Sequence, residues 1–256
     1  MDEHVDVRLL AGHCGVEVRG LDVRTIDDET ISTLRRLVDQ HAALVLPGQQ
    51  LTRDDEETFA SRWGTPNRLG GRSAIVALDS TQSRRARPQG GAWHSDMSWA
   101  SETPYATFLY ALTIPKVGGD TIVANQCAAH ERLPADLRER IADLSAEHHH
   151  PSPPGRFASG TAIHPVVRCI PETGRRALFV NPAFTRRICA MDEPASRRLL
   201  WNLYRLATRP EVTYRHRWTP GDLLVWDNRC VLHYAIHDYT EPRLLHRITV
   251  QPNSST

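Results

Sequence analysis

Lysine is almost missing from this chain. Lys116 is the only one, so 30 of the 31 basic residues are arginine, a usage that reads as genome composition rather than a binding device. An excess of charge is missing too: 31 basic and 30 acidic residues leave a formal net charge of +1. With no long-range field to recruit nucleic acid or an anionic membrane, the expected partner is a small molecule. No apolar run approaches the ~18 residues of a membrane span. The opening MDEHVDVRLL carries neither the basic n-region nor the apolar h-region of a secretion signal, so the expectation is a soluble, cytoplasmic protein. Cys14, Cys127, Cys169, Cys189 and Cys230 include no C-x-x-C pair, which fits free thiols in a reducing compartment. There is no G-x-G-x-x-G, P-loop or G-x-S-x-G motif and no internal repeat, which removes the usual signatures of dinucleotide binding, phosphate cradling and serine hydrolysis.

What is present reads as a globular chain of 256 residues, long enough to bury most of its unfolded surface. VEVRGLDV and AALVLPG look like strands. DDETISTLRRLVDQHA and LTRDDEETFASRWG have helical apolar spacing, the second with Thr52 as N-cap and Glu56 and Glu57 in its first turns. From about residue 73 the texture becomes short β-rich runs, SAIVAL, ATFLYAL, DTIVAN, HPVVRCI, ALFVN, DLLVWD and RLLHRITV, which predicts a sandwich or barrel. Helices are expected around 130–145 and 193–208. EHHHPSPPGRFASG reads as a mobile loop on which His148, His149 and His150 are solvated.

The stretch GGAWHSDMSW holds His94 and Asp96 two positions apart. On an extended strand both would face one side. With a distant histidine they would give two imidazoles and one carboxylate, a set that leaves positions open on an octahedral Fe(II). Alone, His-x-Asp is weak evidence and reads more readily as a structural polar pair. The distal histidine could be His233, His237 or His246 by residue type; His246 alternates out of phase with Arg243 and Arg247, and His237 lies in the turn-like HDYT. Arg243 and Arg247, four apart, would share one strand face.

Order and surroundings extend this pattern. VEVRGLDV, ALVLPGQQLT, RWGTP, WHSDMSW, ETPYATFLYA, GGDTIVAN, RWTPGDLLVWDNRC and HYAIHDY together resemble the taurine dioxygenase (TauD/TfdA-like) family of Fe(II)- and 2-oxoglutarate-dependent dioxygenases, over nearly the whole chain. The resemblance implies a mainly β fold with helical decoration, whose core is a double-stranded β-helix, the cupin-like jelly roll. It implies one domain over 1–256, with N-terminal helices packed on that core. The metal ligands it implies are His94, Asp96 and His233; Thr121 and Arg243 would hold the distal carboxylate of 2-oxoglutarate; Arg247, Trp226 and Phe184 would meet the substrate. Trp93 would pack beside a ligand.

The implied cofactors are Fe(II), 2-oxoglutarate and O2. The implied reaction hydroxylates a C–H bond of a small anionic substrate and releases succinate and CO2, with collapse to cleaved products for a sulfonate, sulfate ester or aryloxyalkanoate. Tailoring of an amino acid or natural-product intermediate is the alternative; a non-catalytic metal- or ligand-binding barrel and a zinc hydrolase are more distant ones. Retention of Asp96 implies oxygenation, since halogenating relatives carry a small residue there. Leu69 and Gly90 stand where taurine-specific members carry polar groups, which speaks against taurine; Asn67, Arg68 and Arg72 could make a different anion site. A homo-oligomer, dimer or tetramer, is expected from the family.

Overall fold

The computed structural model describes residues 5–68, 73–81, 91–151 and 160–253. Its first strands are β1 (Asp6–Leu9), β2 (Val16–Arg19), β3 (Ala43–Leu46), β4 (Thr65–Pro66), β5 (Val76–Asp79), β6 (Ala106–Thr113), β7 (Thr121–Asn125) and β8 (Ser145–His150). There follow β9 (Gly160–Pro165), β10 (Val167–Cys169), β11 (Arg176–Leu178), β12 (Thr185–Ile188), β13 (Thr213–His216), β14 (Leu223–Asp227), β15 (Val231–Ala235) and β16 (Leu244–Gln251). The α-helices are α1 (Asp28–His41), α2 (Arg53–Ser61), α3 (Gln126–Glu131), α4 (Ala135–Ile141) and α5 (Glu193–Ala207).

The large sheet runs β1-β2-β3-β14-β6-β16-β4, with β5 on β16; its centre is antiparallel and β2 joins β3 in parallel. A second antiparallel sheet, β13-β7-β15, faces it. Period-2 alternation decides what lies between them. Leu224 and Trp226 of β14, Leu109 and Ala111 of β6, and Leu245 of β16 meet Val123 of β7 and Val231 of β15 in one buried cluster. The intervening residues Leu223, Val225, Phe108, Tyr110, Ile248 and Val250 turn outward and are covered by Ile31, Leu34 and Val38 of α1 and Phe59 and Ala60 of α2. This is the expected jelly-roll sandwich with helical decoration. The outer face of the small sheet, Ala124 and Leu232, packs with Leu199, Leu200 and Leu203 of α5 and with Ile188 of β12.

Thr52 is the N-cap of α2 and makes a reciprocal capping box with Asp55: Asp55 N–H donates to Thr52 Oγ1 at 3.2 Å and Thr52 N–H to Asp55 Oδ2 at 2.9 Å. Two expectations need correction. The helix expected over 130–145 is two short helices, α3 and α4, interrupted before Pro134, whose φ of −53° and ψ of 144° put it at the N-cap of α4. The histidine run is not a loop: His148, His149 and His150 lie on β8, paired with Ala162, Thr161 and Gly160 of β9, and His148 is fully buried. Three consecutive polar residues hide a strand when one face of its sheet packs inward and buries only alternate residues.

Candidate active site

His233 sits in the middle of β15, on the inward face with Val231. His94 meets it through a single antiparallel bridge: His94 N–H donates to His233 O at 3.1 Å and His233 N–H to His94 O at 2.8 Å. The expectation of an extended strand through His94 and Asp96 is therefore corrected, since the chain leaves the bridge at once and turns. Met97 adopts a φ of 52°, a conformation that non-glycine residues rarely hold. The turn is fixed by Asn228, in the β14–β15 connection. Asp96 N–H donates to Asn228 Oδ1 and Asn228 Nδ2 to Asp96 O, both at 2.8 Å, while Ser95 Oγ donates to Val231 O at 2.8 Å.

The result is a convergent donor set. The His94 and His233 Nε2 atoms lie 4.0 and 3.9 Å from Asp96 Oδ1, and the three ligand atoms fall within 4.8 Å of one another. His94 Nδ1 bonds Ala92 O at 2.8 Å, which places the proton on Nδ1 and leaves the Nε2 lone pair for a metal. Burial lowers the pKa of His94 and, joined by the neighbouring His94, pushes His233 well below the ordinary range, so both rings are neutral donors. For Asp96, burial alone would raise the carboxyl; Arg247 leads the groups that outweigh it and hold it at about 2. Arg247 Nη1 donates to Asp96 Oδ1 at 3.0 Å and Thr107 Oγ1 to Oδ2 at 2.9 Å. Two neutral imidazoles and one anchored carboxylate match the donor chemistry of a divalent transition metal.

The rival histidines do not join this set. His246 faces outward and bonds Glu56 Oε1 of α2 at 2.8 Å, both side chains being buried. His237 lies beyond β15, its ring 6.1 Å from Tyr239.

A second feature sits at the start of β16. Arg243 is 5 % exposed; its Nε donates to Gly119 O at 2.9 Å and its Nη2 to Thr121 Oγ1 at 3.4 Å. Among the described residues no carboxylate lies within ion-pair distance of this guanidinium, whose pKa burial pulls down. A buried cation held by neutral acceptors calls for an anion. Thr121 Oγ1 also accepts from Trp218 Nε1 at 3.0 Å, which leaves the hydroxyl proton to donate to that anion.

The remaining expected residues divide. Phe184 is half-buried with its ring 6.0 Å from that of His94. Trp226 has no exposed surface and backs His233 at 4.6 Å between ring centres. Trp93 packs on Tyr234 of β15 at 5.7 Å. Asn67 Nδ2 donates to Thr249 Oγ1 at 3.0 Å, and Arg68 pairs with Glu57 of α2 at 2.9 Å. Leu69, Arg72 and Gly90 lie outside the described residues. Sequence reasoning missed Asn228, Thr107, Trp218, Trp99 and His150. Thr107 and Asn228 sit on an inward-facing position and a turn of strands it had recognised, Trp218 lies in the connection between β13 and β14, Trp99 is in the turn that follows His94, and His150 was assigned to a loop.

Comparison with known proteins bears on what this geometry does. The profile of the family described as "Taurine catabolism dioxygenase TauD, TfdA family" matches residues 6–249. An alpha-ketoglutarate-dependent sulfate ester dioxygenase of Pseudomonas putida is 32% identical over 96% of this chain and 89% of its own length. A (S)-phenoxypropionate/alpha-ketoglutarate dioxygenase of Delftia acidovorans is 32% identical over 90% of this chain and 89% of its own. A crystal structure of a taurine dioxygenase from Burkholderia xenovorans superposes with a TM-score of 0.86 at 32% identity, covering 97% of this chain and 91% of that one.

Proposed function

This chain belongs to the TauD/TfdA family of 2-oxoglutarate-dependent dioxygenases, and on that premise we propose that it uses Fe(II) to hydroxylate a C–H bond of a small anionic molecule, releasing succinate and CO2. The observation that carries the reading is the pairing of the His94, Asp96 and His233 cluster with a buried Arg243 beside Thr121 that has no carboxylate partner among the described residues. When bound, iron and 2-oxoglutarate supply the oxidising chemistry, in which the co-substrate is decarboxylated and one oxygen atom goes to the substrate.

The chain's own residues do the rest. His94 and His233 present neutral Nε2 atoms, and Asp96 supplies the negative charge that leaves a divalent metal net positive toward an anionic co-substrate. Thr121 and Arg243 take the distal carboxylate, the arginine through a fixed fork that a lysine could not reproduce. Arg247 reaches Asp96 and also serves the anionic group of the substrate, with Phe184 against the substrate's apolar part. Trp226, without exposed surface, keeps His233 in its rotamer instead of touching substrate. The low-dielectric lumen of Val123, Leu109 and Leu245 excludes water around the reacting groups.

The proposal further takes residues 1–256 as one catalytic domain, working as a homo-oligomer in the cytoplasm. No helix among the described residues is long and apolar enough to cross a membrane. Where the hydroxylated carbon bears a sulfate ester, sulfonate or aryl ether, the product collapses and the net reaction is cleavage.

Succinate formation by Fe(II)-loaded protein with 2-oxoglutarate and O2, across sulfonates, alkyl sulfates, aryloxyacetates and amino acids, is the direct test. Stimulation by one class supports the reading and identifies the class. Absence of succinate with metal demonstrably bound sinks it in favour of a binding barrel or hydrolase.

A further inference from the structure

Beside the metal cluster three rings close on one another. Trp99 lies 4.5 Å from Phe184 at 64° and 4.5 Å from His150 at 35°, and His150 lies 5.5 Å from Phe184 at 46°. Phe184 in turn stands edge-on to His94 at 6.0 Å and 82°. All four residues are half-buried, and the group adjoins the His94 ring through Phe184.

The surroundings of Phe184 and Trp99 are fixed by hydrogen bonds and close packing. Phe184 N–H donates to Asn181 Oδ1 at 2.8 Å, and its carbonyl accepts from His149 N–H at 2.8 Å. Asn181 Nδ2 also donates to Ser98 Oγ at 3.0 Å, and Ser98 Oγ bonds the buried His148 Nδ1 at 3.1 Å, tying the turn that carries Trp99 to β8 and Phe184. Gly160, opposite His150 on β9, makes room for the indole: a Cβ there would lie 2.3 Å from Trp99 Cδ1 and 3.0 Å from Trp99 O. Space, rather than backbone freedom, requires glycine at this position.

We propose that Trp99, His150 and Phe184 are the specificity-determining wall of the active site and take a planar aryl group, so that the substrate is an aryl-bearing small anion. The inference rests on the oxygenase reading above. Rings prefer edge-on and offset partners at these separations, and a wall fixed before binding loses little entropy when it receives a rigid planar group. A flexible alkyl chain must give up its rotamers to lie on the same wall. The positive charge at Asp96 comes from Arg247, which suits a carboxylate or sulfate attached near the ring.

The test is equilibrium binding, by anaerobic calorimetry, of phenoxyacetate and hexanoate to protein holding Fe(II) and 2-oxoglutarate, in wild type, Trp99→Leu and Phe184→Leu. Phenoxyacetate should bind wild type at least about tenfold more tightly than hexanoate and lose about tenfold in each variant that retains a native thermal transition, while hexanoate changes less than about threefold. Equal binding of the two anions by wild type, binding of neither, or equal losses for both in the variants overturns the aryl assignment and leaves the oxygenase reading standing. Failure of metal-loaded wild type to bind 2-oxoglutarate removes the oxygenase reading and this inference with it.

Discussion

Arg247 Nη1 donates to Asp96 Oδ1 at 3.0 Å, the same oxygen that lies 3.9 and 4.0 Å from the His233 and His94 Nε2 atoms. One guanidinium therefore orients the carboxylate of the His94, Asp96 and His233 cluster, and under the proposed function it also meets the anionic group of the substrate. Arg247→Ala is expected to raise the substrate KM by roughly 10- to 100-fold, the range for loss of a charge-assisted hydrogen bond of about 1.5–3 kcal/mol. It should also loosen metal binding several-fold, with the KM for 2-oxoglutarate changed less than about threefold. Steady-state kinetics with each component varied in turn, and a metal titration, separate these effects. An increase confined to 2-oxoglutarate would show that Arg247 serves the co-substrate.

Arg243→Ala should show the converse. The buried Thr121 hydroxyl and Gly119 carbonyl would lose their cationic partner, and the 2-oxoglutarate KM should rise by about 100-fold or more because the distal carboxylate then has no counter-charge. Trp218→Phe removes the donor to Thr121 Oγ1 and part of the ring packed on His216 and should raise that KM by a few fold. Identical kinetic profiles for Arg243→Ala and Arg247→Ala would refute the division of roles between them.

His94→Ala and Asp96→Ala each remove one of three ligand atoms. Both should abolish turnover and weaken Co(II) binding, read from its visible absorption, by at least about 100-fold. Full activity in either would end the metal assignment. Asp96→Ala also leaves Arg247 without its carboxylate, so this variant should in addition be less stable at neutral pH.

Gly64 in the RWGTP stretch faces the end of β16, where a Cβ would lie 2.1 Å from Gln251 O. Gly64→Ala forces β4 away from β16 and should cost about 1–3 kcal/mol of unfolding free energy. Urea denaturation measures the loss; the 2-oxoglutarate KM, set at the other end of β16, should hold. A variant as stable as wild type would mean that the close approach relaxes freely.

Burial, then the neighbouring His164 and Arg168, pushes the His148 pKa down to about 3. In the unfolded chain the same ring takes its proton near pH 6.5. Between these limits the unfolded state binds the extra proton, so this contribution to stability is complete above about pH 6.5 and declines as pH falls toward 3, by at most roughly 1.4 kcal/mol per pH unit. Metal-free His148→Gln should therefore lose less stability than wild type between pH 7 and 5 in urea titrations. Parallel losses would show that His148 is protonated in the fold.

Much of the fold could be read from local pattern. Amphipathic segments gave α1, α2 and α5, and short β-rich runs between turn residues gave β6, β7, β14 and β16, because both signals depend on neighbours in the chain. The helix expected across Pro134 failed on the same local ground, since a proline and its restricted predecessor interrupt a periodic apolar stripe. His148 to His150 failed for another reason: their strand exists because β9 and β12 flank it, and nothing in a polar histidine run announces such partners.

The sequence by itself determined the order in which the candidate side chains stand, and its resemblance to the family singled out His94, Asp96, Thr121, His233, Arg243 and Arg247, whereas residue type alone left His237 and His246 open beside His233. Tertiary structure alone decided that His94 bridges His233, that Asn228 clasps the Asp96 turn, that Arg247 shares Asp96, and that Trp99 and His150 meet Phe184. These contacts join segments far apart in the chain, and their existence depends on which strands pair and in what register. That choice is made by burying the sheet faces as a whole, so no local stretch of residues contains it.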